Sequence, residues 1–332
     1  DQKSYLTSHE DLNLSDLETS TAPEATRVSS GKVIEFLMQK SKKIICGSAD
    51  LAGSNNLKNS CCKAISAKDF SGNFIHYGVR ENAMSAIMNG LALSGFRPVG
   101  GTFFVFSDYM RPSIRLSALM GLPVIYVMTH DSIGVGEDGP THQPIEHLAS
   151  LRAMPNIDIF RPADFTETKE CYELALKHTN RPAMIVLSRQ ALPQIRKPSK
   201  ENLSAKGAYI ISESSDKNNI DVTIFASGSE VSIAVQVQDI LTKQGKSVRV
   251  CSAPSTDLLY KQPQEYLNAL YGNAAQLVAI EAASSFGWQK IIGRNGLFFG
   301  LDEFGASAPS QDLYEHFGLS AEKIAKEIMD SI

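Results

Sequence analysis

The chain has 332 residues, 43% of them apolar, with 32 basic side chains against 36 acidic ones. That length predicts about two domains with ample material for a core, and a net charge of -4 denies nucleic acid the basic surface that phosphate contacts require. The longest apolar stretch, around Ala118 to Met128, is broken by Gly121 and Pro123 and falls far short of the ~20 residues of a membrane span.

Residues 1–22 are polar and acidic without an apolar signal region, and they read as a leading segment or a cut end. Val33, Ile34, Leu37 and Met38 then predict a helix over 30–42. KIICGSADL reads as a buried strand running into a Gly/Ser/Asp loop, and NFIHYG as another short strand. Met84, Ile87, Met88 and Leu91 recur at helical spacing in the segment that follows. RPVGGTFFVF, LPVIYVMTHD, IDIFRP and PAMIVLSR are further strands, separated by helical segments such as ETKECYELALKHT. Apolar strands alternating with helices imply an α/β fold with a mainly parallel sheet. This first unit occupies 23–192. A stretch with prolines and charges, 193–206, reads as a linker, and 207–332 as a second α/β unit. There DVTIFASGS, SVRVCSAPS and QLVAIEAAS supply strands, while EVSIAVQVQDILTKQG and SAEKIAKEIMDSI supply helices. Five cysteines (46, 61, 62, 171 and 251) form no C-x-x-C pair, and they read as reduced thiols of a cytoplasmic protein.

Gly134, Gly136 and Gly139 make a literal G-x-G-x-x-G after a strand, with Asp158 about twenty residues on. A dinucleotide site would place bare N–H groups against a pyrophosphate there. Glu137 and Asp138 would repel that anion and Pro140 follows at once, so the pattern is set aside. His76, His130, His142 and His147 fall within 72 residues. Their spacing supplies no converging metal ligands, and no metal ligand is expected on this chain. Histidines beside Asp131, Glu137 and Asp138 on strand-end loops suit a hydroxylated substrate. Glu81 begins a helix, where the dipole alone would favour it. Phe103, Phe104, Phe106 and Tyr109 cluster after two glycines, as core or as a cofactor platform. Arg27, Ser54 and Arg189 could each be surface residues.

Taken together, HYGVRENAM (76–84), GGTFFVFSDY (100–109), THDSIGVGEDGPTHQP (129–144), NIDIFRPAD (156–164) and LSRQALPQ (187–194) resemble the transketolase family. The likeness runs from about residue 20 to the C-terminus. It implies the second and third of the family's three α/β domains, the pyrimidine-binding domain and the C-terminal domain. No G-D-G with a distal Asn is found, so the domain that binds diphosphate and Mg²⁺ or Ca²⁺ is expected to be absent. The resemblance implies a homodimeric, thiamine diphosphate-dependent enzyme of the pentose phosphate pathway. Such an enzyme moves a two-carbon ketol unit from a ketose phosphate, such as xylulose 5-phosphate, to an aldose phosphate, such as ribose 5-phosphate. The chain alone is then expected to be inactive.

Residue by residue, the resemblance gives Glu81 the place facing the pyrimidine N1′. There a desolvated carboxyl can share a proton, as an amide cannot. Phe103 and Phe106 match the aromatics against the aminopyrimidine, with Tyr109 beside them. Asp50 matches a residue near the cofactor at the subunit contact. Arg27, Ser54, His130 and Arg189 match the sugar-phosphate site, where guanidinium forks suit a dianion. Asp138 and His142 match groups on the substrate hydroxyls, His142 being the better candidate near the reacting carbons. Ala52-Gly53 stands where many relatives carry Thr-Pro, which loosens the loop before Ser54. The C-terminal domain carries none of these groups and is expected to support a dimer.

Three other readings stay open. One is a split transketolase whose diphosphate domain is a separate product. Another is a different thiamine enzyme, such as the beta subunit of a 2-oxo-acid dehydrogenase or a deoxyxylulose-phosphate synthase. The last is a non-catalytic module that has kept the fold.

Overall fold

Residues 12–197, 199–214 and 219–332 are described by a computed structural model of the chain. The first half of the expected leading segment, 1–11, lies outside the described residues. Its second half packs onto the first unit: Leu14 is fully buried, and the Lys169 ammonium donates to the Leu17 carbonyl at 2.8 Å.

The first unit begins with helix α1 (Thr26–Lys40), whose Val33, Ile34, Leu37 and Met38 are buried as the periodicity predicts. It starts four residues before the apolar pattern does, because tertiary bonding sets its end. The Thr26 N–H donates to Ser188 Oγ at 3.1 Å, and the Ser188 N–H donates to Thr26 Oγ1 at 2.8 Å. Six strands follow: β1 (Ile44–Ser48), β2 (Phe74–His76), β3 (Arg97–Phe103), β4 (Ile125–Thr129), β5 (Asp158–Phe160) and β6 (Ala183–Leu187). They form one sheet in the order β2-β1-β3-β4-β6-β5, with every pairing parallel. β1, β4 and β6 are buried at every position, as a sheet covered on both faces requires. The connecting helices are α2 (Glu81–Leu93), α3 (Ser107–Met120), α4 (His147–Arg152) and α5 (Phe165–Lys177). Helix α3 has no counterpart among the sequence expectations. Pro112 lies within it, and serines 107, 113 and 117 share the buried face with Met110, Ile114 and Ala118, so the apolar period is diluted.

The second unit contains β7 (Tyr209–Glu213), β8 (Val222–Ala226), β9 (Val248–Ser252), β10 (Gln276–Ile280) and β11 (Leu297–Phe299). Their order is β11-β10-β8-β9-β7. All pair in parallel except β7, which runs antiparallel to β9. Its helices are α6 (Glu230–Lys243), α7 (Thr256–Leu259), α8 (Gln264–Tyr271), α9 (Gln289–Ile292), α10 (Ser310–His316) and α11 (Ala321–Ser331). The chain is thus α/β, with two mainly parallel sheets. Among the described residues no helix is long and apolar enough to cross a membrane.

The segment between the units is fastened to α5. The N–H groups of Ile195 and Arg196 donate to Asp164 Oδ2 at 3.0 and 2.6 Å, and Ser204 donates through N–H and Oγ to Glu170 Oε2.

Two buried polar systems join the units. The first centres on Arg161, which is wholly buried. Its Nη2 lies 2.8 Å from Asp131 Oδ2, and its Nη1 reaches Glu230 Oε2 and the Ser227 carbonyl at 2.8 Å. Gly228 leaves the space: a Cβ there would lie 2.8 Å from the Arg161 side chain, and its φ of +55° is itself strained for other residues. Alongside, Arg152 forks onto Glu281 at 2.7 and 2.8 Å, and Trp288 Nε1 donates to the same carboxylate at 2.8 Å. Burial alone would raise the Glu281 pKa, but Arg152 and Arg161 outweigh it and hold the carboxyl at about 2.

The second system centres on Glu167. It accepts from Tyr209 Oη at 2.6 Å, from Ser252 Oγ at 2.5 Å and from the Ala163 N–H at 2.7 Å. Burial, with Asp164 beside it, pushes its carboxyl up to about 7.

Arg161→Ala would strand Asp131 and Glu230 in the interior, and a loss of about 3–5 kcal/mol is expected from urea unfolding. A carboxyl whose pKa rises on folding favours the native state while it is protonated. The Glu167 contribution is therefore complete below the unfolded value near 4.5 and is lost as pH rises through about 7. Glu167→Gln should flatten the fall in unfolding free energy across that window, and an unaltered slope would show that Glu167 is not its source.

Candidate active site

The first sheet ends its parallel strands on one edge, the place where open α/β sheets collect ligands. Asp50 follows β1, Glu81 opens α2 after β2, Phe103 closes β3, His130 follows β4 and Arg189 follows β6. Asp50 and His130 hold φ of +63° and +64°. Such left-handed backbone is rare for a side-chain-bearing residue and concentrates at functional sites.

Rings form the centre. Phe103 and Phe106 stack at 5.9 Å with 13° between their planes. His130 lies against Phe103 at 3.7 Å. His142 meets Phe106 edge-on at 5.5 Å and Phe103 at 6.1 Å, and its Nδ1 is 2.9 Å from Thr141 Oγ1. Tyr109 tilts against Phe106 at 6.2 Å and is exposed. The Asn82 side chain donates to the Tyr109 carbonyl at 3.3 Å, tying the start of α2 to this platform. Glu81, one residue earlier, is 8% exposed. Its backbone carbonyl accepts from Ser85 Oγ.

Beside the rings lies a concentration of positive potential. Burial first, then the Arg27 and Arg189 guanidiniums and His142, push the His130 imidazole down to about 3. Burial and Arg189 also lower Arg27 from its ordinary value. Arg27 Nη1 donates to the Ser54 carbonyl at 2.7 Å, while its buried Nε has no partner among the described residues. A guanidinium lowered by its neighbour and an imidazole lowered by both guanidiniums form the kind of cationic setting that suits an anion.

A hydrogen-bonded chain fixes the His130 ring. The Leu51 N–H donates to Ser48 Oγ, Ser48 Oγ to Asn55 Oδ1 at 2.9 Å, and Asn55 Nδ2 to Thr129 Oγ1 at 2.7 Å. Thr129 Oγ1 lies 2.8 Å from His130 Nδ1. Since that hydroxyl accepts from Asn55, its own proton is available to Nδ1, which leaves the ring proton on Nε2. Asn55 is fully buried and was missed in the sequence, where an asparagine in a polar loop looks ordinary.

Phe103, Phe106, His130 and His142 are therefore in ring contact, with Tyr109, Arg27, Arg189 and Ser54 around them. Asp50 and Asp138 are exposed, with no hydrogen bond to the ring cluster among the described residues.

The glycine loop carries Asp138 and His142, and its glycines have local reasons. A Cβ on Gly134 would lie 2.4 to 2.6 Å from the Gln190 amide, while Gly136 and Gly139 have φ of +85° and +78°. Gln190 is a second residue missed in the sequence. The second unit braces this loop. Gln143 Nε2 donates to the carbonyls of Gly136 and Ala306, both at 2.9 Å, and Ser307 Oγ donates to the Glu137 carbonyl at 2.5 Å.

Two α/β units, with rings and cationic groups gathered at one sheet edge, define the class as a two-unit α/β protein with a candidate site at the strand ends. Family models match both: "Transketolase, pyrimidine binding domain" over residues 23–194 and "Transketolase-like TK C-terminal domain" over 207–320. The chain belongs to the transketolase family. It is 51% identical over 309 residues to the transketolase of Sinorhizobium medicae, covering 92% of this chain and 44% of that protein. Transketolase of Pichia stipitis, solved in complex with sedoheptulose 7-phosphate, superposes with a TM-score of 0.90 at 40% identity. That likeness covers 97% of this chain and 48% of that one. A split-gene transketolase, described as an inactive β4 tetramer, is similar at a TM-score of 0.76 and 26% identity, over 93% of this chain and 98% of that one. The chain spans about half the length of the curated relatives it matches.

With its pKa near 3, His130 should remain neutral from pH 5 to 8, its ring ¹⁵N and ¹H shifts staying flat in long-range NMR spectra. A titration midpoint near 6.5 would show that the cationic surroundings and burial do not act on it.

Proposed function

We propose that this chain supplies the pyrimidine side and the substrate-phosphate side of a transketolase active site. The reaction is transfer of a two-carbon ketol unit from a ketose phosphate, such as xylulose 5-phosphate, to an aldose phosphate, such as ribose 5-phosphate. The observation that carries this reading is the neighbourhood of stacked rings with a cluster of cationic groups, in which Arg27 Nε is buried and, among the described residues, unpartnered. The sugar-phosphate complex of the Pichia stipitis relative supports the same substrate class.

The residues present fit thiamine diphosphate, which when bound would supply the electron sink that ketol transfer needs. Phe103 and Phe106 would lie against its flat aminopyrimidine and keep water from it. Glu81, nearly buried at the start of α2, would hold and return a proton at the pyrimidine N1′. Asp50 and Tyr109, both exposed, would complete the cofactor site where a second subunit closes over it. Arg27, Arg189, Ser54 and His130 would bind the sugar phosphate, with His130 donating through Nε2. His142 and Asp138 would hold substrate hydroxyls, His142 nearest the reacting carbons. Mg²⁺ or Ca²⁺ would sit with the diphosphate on a domain that neither matched model describes.

A homodimer is part of this reading. Val79, Tyr109, Leu116 and Leu119 are exposed apolar side chains on and beside α2 and α3, a surface that asks for a partner. A cytoplasmic setting agrees with the five free cysteines. A second arrangement, with the diphosphate half as a separate polypeptide, is favoured by one observation: the likeness spans 98% of the split-gene chain.

Calorimetric titration with thiamine diphosphate and Mg²⁺ tests the composite site. No binding is expected for the chain alone, with binding and ketol transfer appearing once a transketolase diphosphate-binding domain is added. Tight binding without that domain would overturn the reading. In the reconstituted enzyme, Glu81→Gln should lower turnover by about 10²- to 10⁴-fold with cofactor affinity little changed, and undiminished turnover would remove the proton relay. Arg189→Ala should raise the sugar-phosphate KM by roughly 10- to 100-fold, as loss of charge-assisted hydrogen bonds implies.

A further inference from the structure

Asp108, Glu146 and His147 lie outside the residues assigned above, yet each offers a ligand atom within 4.8 Å of those of the other two. We propose that these three side chains bind a divalent transition-metal ion of the zinc type, at a site separate from the one that holds a diphosphate.

His147 carries the argument. The residue is 4% exposed, and neither ring nitrogen makes a hydrogen bond among the described residues. Nε2 nevertheless lies 3.2 Å from Asp108 Oδ2, and Nδ1 lies 3.8 Å from Glu146 Oε2. The nitrogens are close to carboxylate oxygens without the direction that a hydrogen bond needs. Phe104 packs against the ring at 5.7 Å and fixes its orientation, so the imidazole is held in place while its polar atoms go unused.

The carboxylates are the adjustable part. Both side chains are 60% exposed and can turn towards the imidazole. Ligands about 2.0–2.2 Å from a tetrahedral ion stand roughly 3.4 Å from one another, so the His147–Asp108 pair is already at that spacing. Glu146 now lies nearer Nδ1, so its exposed arm must turn to reach an ion held at Nε2. Arg111, on the same helix as Asp108, does not neutralise the two carboxylates. It donates instead to Ser150 Oγ and the Ser150 carbonyl, at 3.0 and 3.1 Å.

The donor set selects the ion. One imidazole nitrogen with two carboxylate oxygens suits zinc, cobalt, nickel or ferrous iron, whereas Mg²⁺ and Ca²⁺ prefer all-oxygen shells. The exposed side leaves a coordination position for water.

Asp108 lies between Phe106 and Tyr109 in the chain, and His147 follows His142 by five residues. A bound ion would therefore staple the aromatic segment to the glycine loop, two stretches that approach through ring contacts at Phe106 and His142.

The test is titration of the chain with Co²⁺ and with Zn²⁺, read by visible absorption and by calorimetry. One equivalent of Co²⁺ with low-coordinate d–d bands is expected, displaced by Zn²⁺. Asp108→Asn and Glu146→Gln, both at exposed positions, should each weaken binding at least tenfold. His147→Gln should abolish the bands, and because that residue is buried the two carboxylate variants decide the outcome. Absence of saturable uptake would overturn the site, as would affinity indifferent to both carboxylate variants. A thiolate-to-cobalt charge-transfer band would place the ion on Cys61 or Cys62 and overturn it equally.

Discussion

The interaction on which the rest of this structure depends is the burial of Arg161 between the two units. A guanidinium moved out of water is strongly penalised unless its hydrogen bonds are completed. Here Asp131 comes from the first sheet, while Ser227 and Glu230 come from the second. Neither unit can satisfy Arg161 alone, so docking is a condition of placing that charge. Asp131 is also the neighbour of His130. The group that holds the units together thus sets the backbone next to the imidazole at the centre of the candidate site.

The site divides its labour between stiff and adjustable parts. The sheet edge and the Ser48–Asn55–Thr129 hydrogen bonds fix His130, whose left-handed backbone would otherwise relax. Rings at Phe103 and Phe106 supply area without needing polar partners. Around them, Arg189, Asp138 and Tyr109 stay exposed. An exposed residue at a strand end can meet an incoming phosphate or a neighbouring subunit. Packed rings with exposed charged arms suit the flat cofactor half and the sugar phosphate proposed for them.

Much of the fold was legible because buried parallel strands are written as unbroken apolar runs, as in IYVMT and AMIVL. Helix α3 was not, since its buried face uses serines that bond within the turn, such as Ser117 to the Ser113 carbonyl. β7 and β11 were not: β7 is mostly half-exposed and ends in Ser212 and Glu213, and β11 has only three residues. In the candidate site, Glu81, His130, Phe103 and Phe106 each had an ordinary reading by position, and it was the longer motifs around them that singled them out. Asn55 and Gln190 were not singled out, because their importance lies in what they touch across the fold, and a single sequence does not print contacts. The closeness of Asp108 and Glu146 to His147 escaped for the same reason, and His147, weighed among the clustered histidines, was set aside as a metal ligand. Asp108 and Glu146 are 38 positions apart in the chain, and only the fold brings them together.

The second unit was expected only to support a dimer, yet it also braces the glycine loop of the first. Its 304–310 segment reaches the glycine loop through Gln143, Ala306 and Ser307, and Tyr314 Oη donates to Glu230 at 2.7 Å within the Arg161 system. A Cβ on Gly305 would lie inside the Gln143 amide, so that segment is packed to contact. A loop of three glycines has little stiffness of its own, yet His142 on it must stay edge-on to Phe106. The rigidity is supplied from outside, by carbonyls of one unit held through side chains that face the other. On the proposed reading, a domain without a reactive group would still bear on the chemistry, since its contacts help determine where His142 stands.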